Sequence, residues 1–575
     1  MNDLSPGPFR TSAPAPHPQT GKAAPRTDVG TILIHWIASI ACIINLVTGL
    51  RLAADQEFSV VWRAIAPVLP QGEIWSWHII SGLGLTFAST TYIVYMHRSG
   101  LMRRIALDKL RALTMPAPRQ AKWGAINVLL HWALYALVVL QTVTATLLYL
   151  GYGGWNVTIH STAATFVLLY IAAHLIGHFG YGGWLQILRV FKPARLVRTA
   201  ASRRRPLLIA AGVGTTAVVV LAALDARTVD RLVIQSANEK PQLDGRLDEA
   251  VWRTARPVYV RTMQGSNLGG SGESTVEVRA LHHDNKVYFA FRWEDPTRSL
   301  RRIPMIKKDD GWHVLGNNVD RADVTTFYED KFAVLFSRHD GFGNAGSTHM
   351  GRAPIEGKPA AVNARGLHYT TDGSILDVWQ WKASRGGHLG RVDDQYFGPP
   401  RDPTAAEASG KARYQGGYWN DPGRAFYSYN YRIEVGDQGP VQPLRLPKDL
   451  GATVAARGQF NLDTNSDDQE GARWWMTEGE TVPYAKELDE KIPVGTVLPG
   501  VLIMGDYEGD RADLRGGAKW QDGHWTLEVE RSLVTHSAYD VDFSPGQPLF
   551  MWVSVFDHNQ TRHTRHMRPI KVEMR

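Results

Sequence analysis

The stretch NVTIHSTAATFVLLYIAAHLIGHFGYGG, residues 156–183, decides how the chain is read. It carries no Asp, Glu, Lys or Arg and is long enough to cross a bilayer. Three histidines lie in it: His160, His174 and His178. A helix turns about 100° and rises about 1.5 Å per residue, so His174 returns to within roughly 40° of the face of His160, roughly 21 Å further along. Ionisable side chains at membrane depth are costly and mark function. Two imidazoles on one stripe, one near each membrane surface, are what a helix needs to hold one haem above another. The stretch therefore reads as the shared wall of a two-haem electron wire.

The rest of the chain divides around it. Of its 575 residues, 30–224 are dominated by long apolar runs, whereas 225–575 are polar and rich in Gly, Trp, Tyr and Asp. A formal net charge of +8 would suit a nucleic-acid partner, but the basic residues stand beside the apolar spans, where membrane topology accounts for them. The single cysteine, Cys42, excludes intramolecular disulfides, cysteine-based zinc and iron–sulfur sites, and the CxxCH attachment of c-type haem. Any haem is then held non-covalently by side chains such as His or Met.

Five spans are expected, at about 31–52, 74–96, 124–150, 157–181 and 206–224. The loop at 98–122 carries Arg98, Arg103, Arg104, Lys109, Arg111, Arg119 and Lys122, and 185–205 is equally basic, whereas 51–73 and 151–156 are poor in Lys and Arg. The positive-inside rule puts the N-terminus and both basic loops in the cytoplasm. Five spans then deliver residue 225 onward outside, in a periplasm if the source is Gram-negative. Residues 1–28, rich in Pro and Ala, are expected to be a disordered cytoplasmic tail in which His17 is solvated; the first span acts as an uncleaved anchor. The remaining boundaries are a four-helix haem domain at 29–192, a basic loop and fifth helix at 193–225, and an external domain at 226–575.

This topology sets the depth of each histidine. His78 and His160 fall at the outer level, His35 and His174 at the inner one, giving two bis-histidine sites. Six-coordinate iron leaves no open position, so such sites favour electron transfer. His131, in LLHWAL (129–134), repeats the LIHWIA (33–38) around His35, hints at duplication of a two-helix unit, and rivals His35 at inner depth. His178 rivals His174, or else contacts a haem propionate or quinone. His97 opens the basic loop and is interfacial.

With these residues in view, 30–190 resembles the di-haem cytochrome b subunits of formate dehydrogenases and nickel–iron hydrogenases, and bacterial cytochrome b561. The resemblance implies two b haems held by one histidine on the first helix, one on the second and two on the fourth. Those positions here are His35, His78, His160 and His174. It also implies exchange of electrons with a quinone, although no residue identifies that pocket. The extra His131 departs from the pattern.

From Ala226 onward, short alternating runs such as STVEVRALHH, KVYFAFRWED, DKFAVLFSRH and LFMWVSVFDH argue for a largely antiparallel β-sandwich. LDGRLDEAVW (243–252), VYFAFRWEDPTRS (287–299), DKFAVLFS (330–337) and VWQWKA (378–383) resemble the haem-binding γ subunit of ethylbenzene dehydrogenase, whose relatives serve molybdenum enzymes. The resemblance implies one b haem in the sandwich, ligated by a methionine before the WxWKA strand and a lysine near the C-terminus. The methionine corresponds to Met350. The lysine has no clean counterpart in HNQTRHTRHMRPIKV (558–572), where His566 falls closest, with His563 and Lys571 as rivals. The expected ligands are Met350 and His566, with His349 able to displace Met350.

The fold expected is thus a transmembrane α-helical bundle, four haem-binding helices plus a fifth span, followed by an external antiparallel β-sandwich. The function expected is a b-type cytochrome of the bacterial inner membrane with three haems. It would pass electrons between a periplasmic redox protein or molybdoenzyme-type partner and quinone, as a component of a respiratory oxidoreductase. Two other classes compete. LDGxLDExxW openings and abundant tryptophan also suit a carbohydrate-binding or sensing module on a di-haem anchor, and membrane histidines also suit a proton relay. GFGNAG (341–346) lacks the helix of a dinucleotide site, and the pairs Asp393–Asp394 and Asp467–Asp468 read as solvated loops.

Overall fold

The computed structural model describes residues 27–56, 60–188, 196–197, 201–434 and 436–575. Most of the N-terminal tail and of the second basic segment lie outside the described residues. Five described helices are long and apolar enough to cross a membrane: α1 (Val29–Ala54), α2 (Ile74–Arg98), α3 (Arg119–Tyr149), α4 (Trp155–Gly182) and α5 (Ala201–Thr228). The fifth runs past the expected boundary at 225. Their outward faces expose Ile43, Val139 and Leu169, as a lipid-facing helix requires.

Helix α1 begins on Asp28, which was expected to belong to the disordered tail. Asp28 is instead fully buried and caps the helix by accepting the Thr31 amide at 2.9 Å. It also accepts the Tyr95 hydroxyl of α2 at 2.5 Å. Gly30 permits this approach, since a Cβ there would lie 2.5 Å from the Tyr95 ring. Helices α1 and α2 pack along their length, as do α3 and α4; α5 packs on the outside of α2. Across the ring of four, α1 meets α4 and α2 meets α3 only sparsely. A continuous cavity of about 1790 Å³ fills the space between the pairs.

The external domain is built on twelve strands. They are β1 (Arg231–Ser236), β2 (Val258–Thr262), β3 (Ser274–His283), β4 (Lys286–Glu294), β5 (Lys331–Ser337), β6 (Leu376–Lys382), β7 (Asp393–Phe397), β8 (Tyr418–Asn420), β9 (Arg515–Gln521), β10 (His524–Ser532), β11 (Leu549–Phe556) and β12 (Ile570–Met574). Their order is 8-7-6-5-11-12-1-3-4-10-9, with β2 on β3. The pairings of β1 with β12 and with β3 are parallel and the others antiparallel. The sheet curls so that Phe289, Phe291 and Trp293 of β4 meet Phe332 and Phe336 of β5 and Trp379 of β6 in one core. This is the expected sandwich.

The LDGRLDEAVW motif is a clasp. The buried Glu528 carboxylate accepts the amides of Asp244 and Gly245 at 3.0 and 2.8 Å and the Trp252 indole at 2.6 Å. Gly245 has φ +77°, and a Cβ there would strike the backbone of Lys519 at 2.3 Å. The motif therefore ties the start of the domain to β9 and β10.

The acidic pairs correct the expectation of solvated loops. Asp393, Asp394 and Asp468 are buried, and only Asp467 is exposed. Asp393 is neutralised by Lys382 and Arg511, and Asp468 by Arg301. Asp393 and Asp394 point to opposite faces of β7, both of them covered, and Asp468 is buried from a loop; each carboxylate so placed needs a partner.

Candidate haem sites

At the outer level His78 of α2 and His160 of α4 face each other with ring centroids 6.3 Å apart. Their helices scarcely touch and flank the cavity, which both side chains line. Two imidazoles ligating one metal through bonds of about 2 Å stand roughly 6 Å apart, centroid to centroid.

The hydrogen bonds fix the tautomers. Thr48 of α1 donates its hydroxyl proton to the Ile44 carbonyl at 2.7 Å, so its oxygen is left to accept from His78 Nδ1 at 3.0 Å. The Asn45 carbonyl, 3.2 Å from the same nitrogen, also demands a proton there. Thr144 of α3 repeats the device, donating to Leu140 at 2.8 Å and standing 2.9 Å from His160 Nδ1. Both rings therefore carry their proton on Nδ1 and keep the Nε2 lone pair for a metal. Asn45 and Gln141 tie the same helix pairs by donating to the backbone carbonyls of His78 and His160. These four polar residues escaped sequence reasoning. Their signal was spacing: His35, Asn45 and Thr48 on α1 recur as His131, Gln141 and Thr144 on α3, and His78 and Tyr92 on α2 as His160 and His174 on α4.

The inner level is less regular. His35, His131 and His178 are all electrostatic neighbours of His174. The His131 and His174 rings are 6.3 Å apart, and those of His174 and His178 4.4 Å. His131 donates Nδ1–H to the Asn127 carbonyl at 2.7 Å. However, α3 and α4, which carry His131 and His174, are packed together, whereas His35 lines the cavity from α1, which meets α4 only sparsely.

The external candidates lie against the outer end of the bundle. Met350, in the short strand Thr348–Met350, exchanges backbone hydrogen bonds with Gly72 at 2.9 and 2.8 Å and packs against Leu52 and Ile74. His566 does not join it. Its Nδ1 accepts the Val553 amide at 3.3 Å, so Nε2 holds the proton and has no lone pair to offer. This arrangement counts against the expected ligand. Lys571 lies in β12, between β11 and β1, and pairs with Glu573 at 3.2 Å.

Three other histidines gather instead, His349, His368 and His563. His349 donates Nδ1–H to the Ser347 carbonyl at 3.0 Å and stacks on Tyr369, leaving Nε2 buried without a hydrogen bond. His563 donates Nδ1–H to the Thr564 carbonyl at 2.7 Å. Burial pushes His368 down to about 3 and His563 down to about 4, so all are neutral at physiological pH. Arg365 Nε and Arg565 Nη1 are buried nearby without acceptors, and Arg565 lies over the Trp75 ring of α2 at 5.1 Å. Unused donors beside free imidazole lone pairs fit a bound group that brings its own carboxylates.

Facing imidazoles inside an apolar helical bundle, fused to a β-sandwich, are the build of a membrane-bound b-type cytochrome. Comparison with known families agrees. The chain belongs to the ethylbenzene dehydrogenase family, whose model matches residues 249–568, and residues 26–192 match the family of prokaryotic cytochrome b561. The protein is thus a membrane cytochrome of electron transfer that binds haem b. No curated protein matches the chain. Among solved structures it is similar to a carbohydrate-binding module of family 9 from Caldicellulosiruptor kristjanssonii in complex with cellotriose (10% identity, 60% of this chain, 94% of that one, TM-score 0.21). A putative carbohydrate-binding protein from Bacteroides uniformis gives 8% identity, 60% of this chain, 100% of that one and a TM-score of 0.24. At those scores no ligand carries over to this chain.

Proposed function

We propose that the protein carries electrons between a redox partner on the external face and the membrane quinone pool, through two bundle haems and one external haem. The observation that carries this reading is the outer pair: His78 and His160, 6.3 Å apart across a cavity with both Nε2 lone pairs presented to it. Haem iron supplies one-electron transfer between its ferrous and ferric states when bound. His78 and His160 hold the outer group. His174 and His35 hold the inner one: both line the cavity and are electrostatic neighbours on helices that meet only sparsely, while His131 lines the site from the packed neighbour of α4. Met350 and His563 hold the external one, with Arg365 and Arg565 receiving its carboxylates.

The remaining side chains bind, orient and exclude water. Apolar helix faces keep water from the cavity, and the threonines hold the imidazoles in the ligating tautomer. The cavity runs from Met263, Arg565 and Met567 in the external domain to Arg104, Lys109 and Gln186 at the basic end. That path supports electron entry at one end and a quinone site at the other. Basic residues at the end opposite the sandwich support a cytoplasmic N-terminus and a periplasmic domain in a bacterial inner membrane.

The test is haem quantitation by pyridine haemochrome on the full protein in detergent, joined to reduction by a quinol. Three b haems per chain and quinol-dependent reduction are expected. No b-type absorption would remove the whole reading, and two haems would remove the external one.

A further inference from the structure

Four carboxylates meet at one end of the sandwich, away from every residue assigned above. Asp377 comes from β6, Asp394 from the adjacent β7, Asp421 follows β8, and Asp540 lies in the loop between β10 and β11. One oxygen each of Asp377, Asp394 and Asp540 lie within 4.8 Å of one another. Asp421 is 2% exposed, faces Asp377, lies within hydrogen-bonding reach of the Asp540 carboxyl, and receives no N–H or hydroxyl donor at either oxygen. Among the described residues Arg531 opposes them, at 2.5 Å from Asp377 and 3.8 Å from Asp540, and the Val541 amide donates to Asp377 Oδ2 at 3.1 Å.

The unused oxygens are Asp377 Oδ1, Asp394 Oδ2, and both oxygens of Asp421 and Asp540. Buried anionic oxygens without donors are costly and call for a counter-charge. A second acidic group in the same domain shows what a self-sufficient one looks like. Asp330 accepts the amides of Ser299 and His558 and the Trp525 indole, and Asp557 accepts the Leu268 amide at 2.6 Å and pairs with His558. There the protein supplies the donors; around Asp421 it does not.

We propose that Asp377, Asp394, Asp421 and Asp540 form a calcium site. The donors are all carboxylate oxygens, which suits a hard cation and excludes one that prefers nitrogen or sulfur. Three carboxylates within 4.8 Å of one another, with the buried Asp421 beside them, suit calcium, which takes six to eight oxygens at about 2.3–2.6 Å, whereas magnesium retains several waters and takes few carboxylates. The ion would tie β6, β7 and β8 to the loop before β11, and so pin the edge of the sheet.

The test uses full-length protein in detergent, stripped with EGTA and desalted. Equilibrium dialysis against calcium chloride is expected to return one tightly held ion per chain. Calcium should raise the unfolding temperature of the sandwich by several degrees, read by tryptophan fluorescence, and magnesium at equal concentration should not. Asp421→Asn with Asp540→Asn should weaken binding at least tenfold while leaving the haem spectrum unchanged. Terbium provides a measurement free of variants, since Trp379 lies beside Arg531 at 5.1 Å and should sensitise its luminescence until calcium displaces it. An unfolding temperature indifferent to calcium, no retained ion, or no calcium-displaceable terbium signal would overturn the site.

Discussion

The outer and inner levels of the bundle are built from the same repeated pair of helices, yet only one of them is symmetric. Outside, His78 and His160 occupy equivalent positions, each held by an equivalent threonine from the preceding helix. Inside, the equivalent of His174 is Tyr92, and His35 and His131 stand as a matched pair beside it. Duplication thus supplies a two-fold site at one depth. At the other, Tyr92 in place of a histidine breaks the symmetry and leaves His35 and His131 competing for the place opposite His174, with His178 one turn along the same helix. On the proposed scheme the lesson concerns packing: the partner is set by which helices leave a gap between them, and not by which ring packs alongside.

Removing ligands has the largest expected effect. His160→Ala should abolish the outer haem and cut haem content by about one third on the proposed scheme. Quinol-driven reduction of the external haem should fall by orders of magnitude, because electrons lose their intermediate stop. Stopped-flow spectroscopy reads both. The inner asymmetry is tested next by a pair: His35→Ala should lose a haem and His131→Ala should keep all three. The reverse result would place the inner group between packed helices. In the external domain His563→Ala should lose one haem and His566→Ala none, counted the same way.

Smaller effects probe the tautomer locks. Thr48→Val or Thr144→Val should retain every haem and move only the outer potential. The Nδ1–H···O bond makes the imidazole a stronger donor and favours ferric iron, so its removal should raise the potential. A bond worth about 1 kcal/mol corresponds to roughly 40 mV for one electron, within reach of a redox titration. Equal shifts for the two variants would sharpen the symmetry; unequal ones would break it.

The smallest effect is one of pH. Burial holds His368 well below its unfolded value near 6.5, down to about 3. Its neutral form is therefore favoured by the fold. That contribution is fully present above pH 6.5 and declines as pH falls toward 3, where the unfolded chain takes up the proton first. Between pH 6.5 and 5.5 the loss should be on the order of 1 kcal/mol, a few degrees in the unfolding temperature, and His368→Phe should flatten it.

Much of this architecture is local information. Apolar length and charge bias determined five spans and a helical bundle, because a bilayer allows a chain few alternatives to helices. Period-two patterning likewise determined the sandwich. Tertiary structure alone decided which atoms are free. His566 is buried and close to the right place in the chain, yet the Val553 amide takes the lone pair it would need. Asp394 sits in what reads as a solvated loop, yet a strand turns it inward beside three other carboxylates. Ligation and ion binding depend on the proton and the partner at one nitrogen or oxygen. Those are set by neighbours that the fold brings up from other strands and loops, which no spacing along the chain records.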